Sequence, residues 1–79
     1  MVKEQIPFGE QLAEYLKTEG ITVEHFCVRV FEATEGLTQI SANSVHGWIA
    51  GNSIPREGTQ RGIAKAMGVD VADLFGSQD

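Results

Sequence analysis

The 79-residue sequence contains one cysteine, two prolines and one tryptophan, and it has no long apolar run. A single thiol, Cys27, can form no intramolecular disulfide and fits no cysteine-rich zinc spacing, so a reducing cytosol is the expected setting, with no metal or other cofactor. No stretch approaches the ~20 apolar residues of a membrane span, and the opening residues, MVKEQIPFGEQL, show no apolar segment followed by a small-residue cleavage site. A cytoplasmic protein without membrane association is expected. Basic residues are also scarce: six Lys and Arg stand against eleven Asp and Glu, for a net charge of -5. Phosphate neutralisation supplies most non-specific affinity for DNA, so this balance at first speaks against a nucleic-acid partner.

The distribution of charge restores such a partner. Residues 1–35 hold seven Glu against Lys3, Lys17 and Arg29, and residues 70–79 hold three Asp with no cation. Residues 36–69 carry only Glu57 against Arg56, Arg61 and Lys65. The middle of the chain is therefore its only non-acidic part. A chain of this length has volume for one core, so residues 1–79 are expected to be one domain, and docking on a second subunit would supplement its marginal stability.

Apolar residues recur at helical spacing throughout, and an all-α domain of five helices follows. Pro7 suits a first turn, and Phe8, Leu12, Tyr15 and Leu16 make one stripe on a helix over roughly 7–19, stopped by Gly20. Thr22 offers an N-cap to a second helix reaching about Thr34, with Val23, Phe26, Cys27, Val30, Phe31 and Thr34 as its apolar side. EGLTQIS at 35–41 reads as a connection ending in the capping Ser41. A short third helix over about 41–50 turns Val45, Trp48 and Ile49 inward and Ala42, Asn43, His46 and Gly47 outward, and Gly51 ends it. After a loop of Asn52, Ser53, Ile54 and Pro55, a fourth helix buries Ile63, Ala64 and Met67 and stops at Gly68. Gly58 and Gly62 lie four apart on it, a spacing that suits close approach of a helix or a backbone. Asp70 caps a fifth helix contributing Val71, Leu74 and Phe75.

Catalysis finds little footing. Glu10, Glu14, Glu24 and Glu32 lie at helical spacing without a histidine partner or pocket signature, and no nucleophile–base pair, phosphate-cradling glycine loop or metal spacing is present. The chain is not expected to be an enzyme.

The block ISANSVHGWIAGNSIP at 40–55 resembles the turn, recognition helix and following loop of the Cro and phage-repressor helix-turn-helix domains. GIAKAMGVDVADLF at 62–75 resembles the fourth and fifth helices of that family, and Gly20, Ile21 and Thr22 match its approach to helix 2. The resemblance implies the compact five-helix lambda-repressor-like fold and a sequence-specific regulator, repressor-like, bound to a double-stranded DNA operator as a homodimer. It also implies a phosphate-binding side chain at Arg56. Two departures stand out. Val23 occupies the place where the family commonly has Gln, and VRVFEATEGLTQ lengthens helix 2 or the turn by roughly eight residues over the family pattern.

Elementary chemistry supports the same block. A helix entering the major groove needs small or hydrogen-bonding residues outward near its N-terminus and apolar residues behind to fix its angle. Asn43 can pair with adenine in bidentate fashion, Ala42 can pack on a thymine methyl, and Ser41 and Ser44 suit phosphate or base contacts. The candidate interface is thus Ser41, Ala42, Asn43, Ser44, His46, Gly47, Asn52, Ser53 and Arg56. His46 either contacts DNA or is an inert exposed group. Trp48 is expected in the core and Cys27 as a small buried hydrophobe. Arg61 and Lys65 either extend a positive stripe from Arg56 or merely solvate helix 4. The competing function is a protein-binding adaptor, antirepressor or antitoxin-like module on the same fold, docking a basic protein through the acidic N-terminal third.

Overall fold

A computed structural model describes residues 6–76. It holds five helices and, among the described residues, no strand: α1 (Phe8–Glu19), α2 (Val23–Ala33), α3 (Ala42–Ala50), α4 (Glu57–Met67) and α5 (Val71–Phe75). No described helix is long and apolar enough to cross a membrane.

Local chemistry sets the boundaries. The Thr22 hydroxyl accepts from the His25 N–H at 3.1 Å, satisfying one of the donors that a helix start leaves without an intrahelical partner. The Asp70 N–H donates to the Asp73 carboxylate at 3.3 Å at the start of α5. Pro7 sits one place earlier than the spacing suggests, at the N-cap, where its carbonyl accepts from the N–H groups of Glu10 and Gln11, both at 3.1 Å.

The core is a single cluster. Leu12, Phe26, Val30, Val45 and Ile63 are fully buried, and Phe8, Leu16, Trp48, Ala64 and Leu74 pack around them. Each of the Leu, Val, Ile and Phe side chains among them contributes ~1.5–3 kcal/mol when taken from water. α2 packs chiefly on α4 and α3 chiefly on α1, while α5 closes the base against α4 and α1. At the edge, Arg29 Nη1 donates to Tyr15 Oη at 2.9 Å and to Glu19 Oε1 at 3.0 Å, and Tyr15 Oη donates to the Ala66 carbonyl at 3.4 Å. α1, α2 and α4 are thereby joined by side chains outside the core.

Two close approaches fix the packing. A Cβ on Gly62 would lie 2.8 Å from Thr38 Oγ1 and 3.1 Å from Thr34 Cγ2, so Gly62 lets α4 meet the end of α2 and the connection after it. Gly58 faces open space, so only one glycine of the pair serves a close approach. Gly9 lies against the Trp48 and Ile49 carbonyls, and a Cβ there would collide with the Trp48 oxygen.

α2 ends at Ala33, with Thr34 as its C-cap, and α3 starts at Ala42, so residues 35–41 form the connection between them. Thr34 organises this connection. Its hydroxyl donates to the Val30 carbonyl at 2.9 Å, with the Phe31 carbonyl at 3.2 Å as the alternative acceptor, and accepts from the Thr38 N–H at 3.0 Å. Phe31, which the apolar spacing puts inside, is instead 41% exposed. Its ring rests beside Gly36, because the chain leaves α2 by turning beneath it and not by covering it.

Candidate nucleic-acid interface

α3 is positioned from below. Val45 and Trp48 are its buried residues; the Trp48 ring is tilted against Phe8 with centroids 6.1 Å apart, and Phe8 meets Phe75 at 4.5 Å. Trp48 is thus an anchor in the core, and it holds the opposite face of α3 outward. On that face Asn43, Ser44 and His46 are exposed, while Ala42 and Gly47 are half-buried.

The helix begins at Ser41, whose Oγ accepts from the Ser44 N–H at 3.2 Å and whose hydroxyl donates to Ser44 Oγ at 3.0 Å. It stops at Gly51 with φ 82, a left-handed conformation that costs glycine nothing. The Asn52 N–H then donates back to the Gly47 carbonyl at 2.9 Å. This turn sets Asn52 and Ser53 in solvent, and Ser53 Oγ lies where a Cβ on Gly47 would meet it at 3.4 Å, an ordinary contact.

The loop returns through Pro55, which is buried. Its carbonyl accepts from the buried Gln60 amide at 3.0 Å, and the Gln60 N–H donates to the Arg56 carbonyl at 2.8 Å. Arg56 becomes the N-cap residue of α4, with its side chain exposed.

One open depression brings Ser41, Ser44, Arg56 and Thr59 together above Trp48 and Pro55. The hydroxyl-bearing Ser41, Ser44 and Thr59 line it together with Arg56, and the guanidinium with the Ser44 and Thr59 hydroxyls is a donor set suited to a phosphate oxygen. Asn43 and His46 lie outside it, on the solvent side of α3, and Asn52 and Ser53 lie at the far end of the helix. The candidate residues therefore separate into a donor cluster around Arg56 and an uncharged face suited to base edges. Arg61 and Lys65 belong to neither. They line a different groove, between α4 and the connection, shared with Glu35 and Leu37.

Two positioning residues carry no signal in the sequence. Gly9 and Gln60 look like an ordinary helix glycine and an ordinary surface amide until their long-range or loop partners are known. Cys27 is half-buried, and burial first, then the Glu24 carboxylate, pushes its thiol above the ordinary range.

The chain matches no known protein family, no curated protein and no solved structure.

Proposed function

We propose that this chain is a sequence-specific DNA-binding regulator of the Cro/repressor helix-turn-helix kind, with a lambda-repressor-like fold, acting in the cytosol as a homodimer on a two-fold operator. The observation that carries this reading is the meeting of Ser41, Ser44 and Arg56 in one depression at the start of an α3 whose Asn43 face is exposed and uncharged. In this assignment α3 enters the major groove, Asn43 reads a base, and the cluster around Arg56 holds the backbone. Ala42, His46 and Gly47 line the groove side, with Asn52 and Ser53 beside the flanking phosphates. The connection 34–41 is longer than the ~3–4 residue turn usual between two such helices. α3 with its following loop, the 62–75 block and the Gly20, Ile21 and Thr22 entry to α2 support the family, and the length of the turn does not.

The second reading is a protein-binding module. It is favoured by a groove along α1 in which Glu10 and Glu14 flank Ile6 and Tyr15, an acidic and apolar surface suited to a basic protein.

Selection from random duplexes at two salt concentrations tests the first reading. Enrichment of one palindrome, with affinity falling as salt rises, is the expected result. No enrichment, with binding of a basic protein retained, would move the function to the α1 groove.

A further inference from the structure

The outer side of α2 and the turn that follows it expose more apolar surface than the rest of the fold accounts for. Val28 and Phe31 are about half-exposed and Leu37 is 90% exposed. Cys27 and Ile40 border Val28 and Phe31 in a shallow groove. A Cβ on Gly36 would meet the Phe31 ring at 3.3 Å, so the ring lies against the turn whose next residue, Leu37, is exposed and lines the neighbouring groove toward α4.

That turn is held under strain. Glu35 has φ 53 and Gly36 φ 84, two successive left-handed residues, and the first is disfavoured because Glu carries a Cβ. The turn closes the end of α2, with the Gly36 N–H donating to the Phe31 carbonyl at 2.8 Å, and it leaves Leu37 in solvent. A displayed apolar side chain on a strained, hydrogen-bonded turn is what a docking surface needs.

The exposed charges differ in sign between the α2 face around Val28 and the α4 side of Leu37. Glu24 and Glu32 are exposed on α2, four residues before and after Val28 and therefore on its face. Arg61 and Lys65 are exposed on α4 and line the groove on the other side of Leu37, together with Glu35. A two-fold interface must be self-complementary. With the axis running along Val28, Phe31 and Leu37, the α2 flank of one copy faces the α4 flank of the other, so carboxylates meet cations.

We infer that the Val28, Phe31 and Leu37 band is the surface on which a second copy of this chain docks, with Glu24 and Glu32 of each copy facing Arg61 and Lys65 of the other. The inference deepens the homodimer proposed above and rests on that dimer, not on contact with DNA.

Sedimentation of the full chain without DNA, from micromolar to sub-millimolar concentration, is the test. The parent protein dimerises, and Leu37→Glu weakens the dimer by about tenfold per copy and about 100-fold in all, since the two-fold axis counts the change twice. E24K/E32K and R61E/K65E are each monomeric where the parent is dimeric, yet the two mixed in equal amounts form a heterodimer. All five positions are exposed, so each variant keeps the parent's circular dichroism. A monomeric parent, a dimer indifferent to Leu37→Glu, or charge variants that fail to pair when mixed would each overturn the interface. A parallel gel shift on the selected duplex separates the two proposals. Duplex binding by a monomeric parent removes this interface and the homodimer but keeps the DNA reading, and a dimer that binds no duplex removes the DNA reading alone.

Discussion

Gly9 of α1 lies directly against the Trp48 carbonyl of α3, closer than any side chain would permit. The contact sets how deeply α3 seats, and with it the height of Asn43 and Ser44 above the core. Since backbone, not a flexible side chain, occupies the space, Gly9→Ala must push the helices apart. A loss of about 1–3 kcal/mol in urea denaturation is expected. An unchanged midpoint would mean that α1 and α3 slide apart freely, and that Gly9 positions nothing.

Gln60 does similar work for the loop. Gln60→Leu preserves bulk but removes the donor to the Pro55 carbonyl, leaving a buried acceptor unpaired at a cost of about 1–3 kcal/mol. Duplex affinity should fall as well, because Arg56 is the next residue. Thermal melting and a gel shift read the two effects, and full stability in the variant would refute the anchor.

Asn43 and Arg56 are expected to fail differently. Asn43→Ala should cost ~1–3 kcal/mol on the preferred duplex, relax one base position and barely alter binding to random DNA. Arg56→Ala should weaken both duplexes alike and reduce the slope of log affinity against log salt by about 1. Titration of each variant at several salt concentrations checks this. Equal, sequence-independent losses would deny Asn43 a base contact.

Cys27 should be a slow thiol. Its pKa is raised, first by burial and then by Glu24, so the neutral form is favoured and little thiolate exists at neutral pH. Reaction with a disulfide reagent should lag behind a free cysteine near neutrality. It should accelerate only as the pH climbs above the ordinary thiol range. A rate equal to that of free cysteine at neutral pH would show that neither burial nor Glu24 governs the group.

The helices were legible because their signals are local. Thr22, Ser41, Gly20, Gly51 and Gly68 mark ends within a residue or so, since caps and left-handed stops act through backbone atoms only a few residues away. Trp48 was legible as core from its phase with Val45. Phe31 was not: it shares the apolar spacing of α2, but the path of the next residues leaves its ring at the surface, and spacing says nothing of that path. Of Gly58 and Gly62, the sequence offered a pair and the fold uses one, because Thr34 and Thr38 pass beside Gly62 only. The exposure of Asn43 and His46 follows from helical phase. The meeting of Ser41 and Ser44 with Arg56 depends on a loop held by Gln60, and no local pattern encodes it.

The Gln11 amide donates to the Ile6 carbonyl at 2.7 Å and to the Leu74 carbonyl at 3.2 Å, while Phe8 and Phe75 stack nearby. The first and last described stretches thus form a clasp, and the fold is close to a closed ring. Joining those two stretches with a short linker and opening the chain within 34–41 should therefore give a circular permutant with the same core. A pulling force applied at Ile6 and Gly76 would load this clasp before any other contact, so the molecule would open at α5 while α2 and α4 still hold together.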